Sequence, residues 1–242
     1  MIALFNTFVH TPLYNALIFL VGVMPGHSMG LAIIVLTLLV RVVLYPVSRQ
    51  ASATQAAMRE IAPKIEELKE KHKDQRDEQA RAIFALYKEH KIRPFSSFLL
   101  ILVQLPVLIG LYLVFFRGGL PVINPSLLYS FIPVPDSVNM IFLGVLDLSE
   151  RSIFLAALAG ATQLVYARLT MSPPKPASGE RSFSADLARS MDLQMRYVLP
   201  LMLGVFAYIA SSAVALYFIT GNLFMIGQEY LARRRFRDMK GQ

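Results

Sequence analysis

The sequence predicts an all-α integral membrane protein: a five-transmembrane-helix core with a cytoplasmic helical hairpin and an N-terminal interfacial helix. Three observations predict it. The apolar residues come in blocks close to the length of a bilayer crossing. The basic residues fall between those blocks, concentrated in alternate connections. The one long charged segment carries an apolar seam at helical spacing. Of 242 residues, 55% are hydrophobic and 17% charged, where soluble domains carry about a quarter charged residues. A net charge of +8 would elsewhere suggest nucleic acid. Basic residues placed between apolar blocks instead orient a chain in a bilayer, so no DNA partner is expected. The absence of Cys excludes disulfides, thiolate chemistry and Cys-ligated metals. His10, His27, His72 and His90 are scattered without ligand-like spacing, and no cofactor is expected.

Residues 1–28 are apolar but interrupted by Asn6, Thr7, His10, Pro12 and Asn15. They lack the basic start of a secretory signal. An amphipathic interfacial helix on the outer face is expected, with a sixth span turning at Pro25-Gly26 as the alternative. The first span is residues 29–48, MGLAIIVLTLLVRVVLYPVS, close to the ~20 residues that cross a hydrocarbon core. Arg41 is its only charge, and Pro46 marks its end.

Residues 49–94 hold 11 Lys/Arg and 8 Asp/Glu. Thr54, Met58, Ile61, Ile65, Leu68 and His72 are spaced 4, 3, 4, 3, 4, an a/d seam. After Lys73-Asp74-Gln75-Arg76-Asp77 a second stripe begins at Ala80, Ile83 and Tyr87. Two amphipathic helices joined by a charged turn are expected to form an antiparallel hairpin, with Pro63 a kink site in the first.

The second span is residues 95–116, with Gln104 and Pro106 inside it. Residues 117–151, rich in Pro and Gly, read as an exterior loop. The third span is residues 152–170, and residues 171–196 form a flexible linker. Residues 197–230 would make roughly 50 Å of helix, enough for two short crossings, the fourth and fifth spans. Ser211-Ser212 is the expected turn between them. A basic tail, residues 231–242, closes the chain.

Lys/Arg counts set the topology. The hairpin carries 11, the stretch 168–196 carries 5 and the tail 5, against none in 1–28 and 2 in 117–151. Hairpin, linker and tail are therefore expected in the cytoplasm, with the N-terminus outside and the C-terminus cytoplasmic.

Arg41 is the residue most suggestive of function. An arginine within a span costs about 2.5–3.5 kcal/mol on insertion scales and faces a wet cavity or a partner. Snorkelling is the alternative, since Arg41 lies roughly 10 Å from the cytoplasmic end of its span by helical rise. Polar stripes support the cavity: Thr37, Arg41, Tyr45 and Ser48 share one face of the first span. Ser97 and Gln104 are seven apart on the second. Gln163, Tyr166 and Thr170 share a face on the third, and Tyr217 and Gln228 lie near one face on the last. Interhelical hydrogen bonding is the plainer use of such residues. Except for Glu229, no acidic residue falls within a span. Catalytic motifs of the GK[ST], HExxH and GxSxG kinds are absent, and no enzyme activity is expected.

Taken together, LAIIVLTLLVRVVLYPVSRQ, MREIAPKIEELKEKHKD, ALYKEHKIRPFSSFLLILVQLPVLIGLY, DLSERS…LAGATQLV and YVLPLML…ALYFITGNLFMIGQEYLARR resemble the YidC-type (YidC/Oxa/Alb) membrane protein insertases, in order over about residues 29–232. The resemblance implies insertion of nascent membrane proteins into the bacterial cell membrane through a hydrophilic groove open to cytoplasm and lipid. It places Arg41, Thr37, Gln104 and Tyr217 in that groove, and the polar stripe of the third span adds Gln163. Leu105, Leu108 and Phe218 fall on the apolar slide where a client helix leaves. It implies nascent membrane proteins, the ribosome and the Sec translocon as partners, alongside the lipid bilayer. The sequence departs from the family pattern in Tyr217-Phe218, where a Tyr-Trp pair is common, and in Phe95-Ser96-Ser97, where an Asn-Pro start is common. Residues 1–28 match neither the exterior domain of Gram-negative members nor the lipobox of many Gram-positive ones. A small anion or solute transporter or channel would also use an arginine in a polar cavity, but no inverted repeat is detectable.

Overall fold

The computed structural model describes residues 2–72, 75–90, 92, 96–117, 120–170, 190 and 193–240. Most of the expected linker 171–196 therefore lies outside the described residues. The chain divides into two compact units, residues 1–43 with 105–242, and residues 44–104.

The first unit begins with α1 (Ile2–Phe5), a π-helical turn (Asn6–His10) and α2 (Thr11–Val23). Pro12 starts α2 where its missing N–H is harmless. The helix stops before Pro25, and Gly26 (φ 63°) makes the left-handed turn into α3 (Met29–Val43). Ser28 caps α3, its hydroxyl accepting from the Leu31 amide. Tyr14, Leu17, Ile18 and Val21 of α2 are buried together with Met29, Ile33 and Leu36 of α3.

Helix α6 (Ser96–Arg117) carries Pro106 in its interior, where the ring removes one backbone hydrogen bond. Its residues from Leu105 on belong to the first unit. Gly110 lets Leu13 and Val9 approach, so that a Cβ there would lie 2.8 Å from Leu13.

Residues 120–151 are fastened to three helices. The Tyr14 hydroxyl accepts from the Asn124 amide at 2.8 Å. The buried Asn15 side chain donates to the Leu127 carbonyl at 2.8 Å and accepts from the Tyr129 amide at 2.7 Å. A small hairpin follows, β1 (Ile141–Phe142) and β2 (Leu146–Asp147). Leu143 (φ 54°) and Gly144 (φ 75°) turn it, the positive φ pair of a type I′ turn. The Asn139 carbonyl accepts from the Met29 amide at the start of α3. The Phe142 ring lies so close to Gly30 that a Cβ would fall 2.1 Å from it.

Helix α7 (Ile153–Thr170) packs against both α8 (Leu199–Ala210) and α9 (Ser212–Lys240). Against α8 the backbones nearly touch: a Cβ on Gly160 would lie 3.3 Å from the Pro200 carbonyl, and one on Gly204 3.3 Å from the Ala156 carbonyl. Small residues permit this spacing between helices in lipid. The chain breaks from α8 to α9 at an extended Ser211. There the carbonyls of Glu150 and Leu148 accept from the amides of Ser212 and Ala213, at 2.8 and 3.1 Å, satisfying donors that a helix start otherwise leaves open.

Large apolar side chains face outward on several helices: Leu39, Val42 and Val43 on α3, Ile153 and Phe154 on α7, Leu201, Met202 and Val205 on α8. A soluble monomer rarely exposes apolar surface so continuously, and lipid is the medium that suits it. Among the described residues, α7 alone is both long and apolar enough for an unbroken crossing, while residues 104–115 and 194–210 form shorter apolar helices.

The second unit holds α4 (Tyr45–Lys71) and α5 (Arg76–Glu89), which pack on one another. Ile61, Leu86 and Ile92 form its centre, flanked by Met58, Ile65, Leu68 and Tyr87.

Candidate functional site around Arg41

Arg41 occupies the last turn of α3 and is half-buried. Its guanidinium rests on α9 at Gly221. A Cβ built on that glycine would lie 2.6 Å from one terminal nitrogen, 3.2 Å from Nε and 3.3 Å from Cζ. Among the described residues Arg41 forms no ion pair and no hydrogen bond. Among the described residues its positive charge is thus held by shape and not by a carboxylate.

The direction of the side chain follows from the helices. Residues 139–150 hold the N-terminal ends of both α3 and α9, so the two run parallel. By helical rise Arg41 lies about 18 Å from Met29, and Gly221 about 12 Å from Ala213. The side chain spans the difference by reaching back toward the level of Thr37, the way helical side chains lean. A side chain snorkelling beyond Val43 would point the other way.

The other residues singled out in the sequence are placed as follows. Thr37 precedes Arg41 by one turn and is 1% exposed. Its hydroxyl donates to the Ile33 carbonyl at 2.6 Å, so it supplies polarity to its own helix. Tyr217 precedes Gly221 by one turn on α9 and is 2% exposed. Phe218 joins a run of rings, with Tyr217 at 5.4 Å and Phe206 at 6.2 Å between centroids, and Phe206 with Tyr112 at 6.2 Å. Gln163 is half-buried on α7. Leu105 is exposed and Leu108 packs against the core. Gln104 belongs to the other unit.

Three residues escaped the sequence reading. Gly221 is one. The others are Asn222 and Thr162: the Asn222 side chain donates to the Thr162 hydroxyl at 3.1 Å and to the Ala159 carbonyl at 3.4 Å, joining α9 to α7. Further along, Arg233 pairs with the buried Glu229 at 3.0 Å and donates to the Leu169 carbonyl. Among the described residues no cluster of His, Asp and Glu could hold a metal ion. A cavity of about 230 Å³ lies at the other end of the unit, between Tyr112, Phe115, Met140, Ser149 and Ser211, and includes none of the residues around Arg41.

The arrangement offers a guanidinium that has no carboxylate partner among the described residues, on helices with apolar outer faces. Comparison with known proteins shows the family of the chain. The model of the family described as 60Kd inner membrane protein matches residues 19–239. The membrane protein insertase YidC of Clostridium tetani is 32% identical over 210 residues, 87% of this chain and 84% of that protein. This chain belongs to the YidC-type insertase family. The YidC insertase of Methylobacillus flagellatus is 29% identical over 94% of this chain, and that of Ectopseudomonas mendocina 27% identical over 85%. This chain spans only 36% and 31% of those two YidC proteins. YidC membership, with mostly helical structure and outward apolar faces, makes this an α-helical membrane protein of the bacterial inner-membrane family.

Proposed function

We propose that this protein inserts nascent membrane proteins into the bilayer, using Arg41 to receive the polar tail of the client. The observation that carries the proposal is the half-buried guanidinium on Gly221, without a paired carboxylate among the described residues, in a member of this family. In the full proposal the core crosses the membrane five times, the N-terminus lies outside, and α4, α5 and the basic tail lie in the cytoplasm. Thr37, Gln104, Gln163 and Tyr217 line a hydrophilic groove with Arg41. Leu105, Leu108 and Phe218 guide the client's apolar segment toward lipid.

The mechanism needs no nucleotide. A charge in a groove with low-dielectric walls acts more strongly than in bulk water, so Arg41 draws in an acidic or polar tail. The client's apolar segment then partitions into lipid, a transfer driven by roughly 25 cal/mol per Å² of apolar area buried. The cytoplasmic hairpin receives clients, and the basic tail meets ribosomal RNA electrostatically. The ribosome and the Sec translocon are the proposed partners.

Arg41→Ala is expected to slow insertion of an acid-tailed client in reconstituted vesicles, by roughly tenfold if a charge interaction worth about 1.4 kcal/mol is lost. Normal insertion by this variant would refute the electrostatic step. A photocrosslinker at Gln104 or Tyr217 should capture ribosome-bound nascent chains. Failure of both positions to crosslink, together with anion flux through vesicles, would favour a transporter instead.

A further inference from the structure

A steric seat takes the place of a counter-ion at Arg41. Arginines inside membranes are commonly fixed by carboxylates or backbone carbonyls. Such a partner fixes the side chain but also neutralises or occupies it. Here the neighbour is a glycine, and three atoms of the guanidinium lie within 3.3 Å of where a Cβ would stand. None of the five N–H donors of the side chain forms a hydrogen bond among the described residues.

We propose that Gly221 is the positioning residue for Arg41: it fixes the guanidinium between α3 and α9 while leaving its charge and donors available to an anionic segment of the client. This rests on the reading of Arg41 as the docking charge. The backbone does not itself require glycine here. Gly221 is buried within a helix and carries no left-handed φ, and glycine weakens a helix interior. Alanine would fit the backbone, but its methyl group would occupy the place of the guanidinium. The group that must yield is the end of a flexible side chain, so the helix stays and the charge moves. Gly227, on the same helix with open space around its Cβ position, provides the control.

The experiment compares Gly221→Ala, Gly227→Ala, Arg41→Ala and the Arg41→Ala/Gly221→Ala double variant in reconstituted vesicles, with one client bearing an acidic tail and one bearing a neutral tail. Gly221→Ala should lower insertion of the acid-tailed client about three- to tenfold, and leave the neutral-tailed client and Gly227→Ala at the unmodified rate. The double variant should match Arg41→Ala, since groups acting through one contact are not additive. A normal rate for Gly221→Ala beside an impaired Arg41→Ala overturns the seat and leaves the docking charge standing. Equal loss with both clients, adding to that of Arg41→Ala, makes Gly221 a packing residue only.

A second measurement is independent of insertion: the NMR order parameter of the Arg41 Nε–H bond in nanodiscs, which reads how firmly the side chain is held. Gly221→Ala should lower it and Gly227→Ala should not. An unchanged order parameter overturns the seat even where Arg41→Ala inserts normally and the docking reading fails.

Discussion

Asn15 binds residues 120–151 to α2 with two hydrogen bonds, made from a side chain only 1% exposed. Replacing it by alanine leaves the Leu127 carbonyl and the Tyr129 amide without these partners, and an unsatisfied buried polar group costs about 1–3 kcal/mol. Asn15→Ala should therefore lower the thermal midpoint in detergent clearly more than Tyr14→Phe, which removes a single bond to the Asn124 amide. Equal midpoints would show that Asn15 carries no such role. In the sequence Asn15 read only as an interruption in an apolar stretch. Its partners lie more than a hundred residues away, and no local pattern encodes a contact of that range. Arg41 differs, because a charge in an apolar run is anomalous on any reading. What could not be read was its seat: Gly221 is one glycine among 13, and its significance depends on which helix lies opposite.

At the scale of elements, periodicity was informative where one face of a helix is apolar and the rest is charged. The 4-3-4-3-4 seam from Thr54 to His72 contains Ile61, the buried centre of the second unit, and its flanking residues Met58, Ile65 and Leu68. Periodicity said less where both lipid and protein accept apolar side chains. On α8 the packing surface is recognisable by small residues at Gly204 and Ala207, not by hydrophobicity. The helix break at Leu44, between α3 and α4, was also hidden, because Pro46 suits the first turn of a helix as well as the end of one. The β-hairpin went unread for want of length: each strand has two residues. Its acid sensitivity follows from Asp147. The Ser149 hydroxyl and then the Ser149 amide donate to this carboxylate and hold its pKa below the ordinary value. A depressed pKa means a stabilising contribution that is present above the unfolded value, about 4, and is lost as pH falls through the folded one. Asp147→Asn should therefore remove this one group's share of the acid destabilisation below about pH 4, read as a slightly flatter curve of thermal midpoint against pH. A curve identical to that of the unmodified protein would count against this.

At the scale of the molecule, alternating apolar and basic blocks made the helical membrane class legible, and the family comparison agrees with it. Composition cannot state which helices touch. Blocks of similar hydropathy can be exchanged around a bundle without changing any count, so the pairing of α9 with both α3 and α7 had to come from three-dimensional structure. Two of these helices, α3 and α9, share one construction: their first amides are tied through main-chain carbonyls of residues 139–150. Such ties do not depend on side-chain identity, so they survive substitution. Helices clipped at one end behave as the arms of tweezers. The gap between them is expected to be constant at the clip and more adjustable farther along, where Arg41 meets Gly221. Spin-label pairs should accordingly give a narrow distance distribution near Met29 and Ala213, and one that broadens toward Val42 and Leu223. Equal widths at both ends would show that the two arms move as one rod.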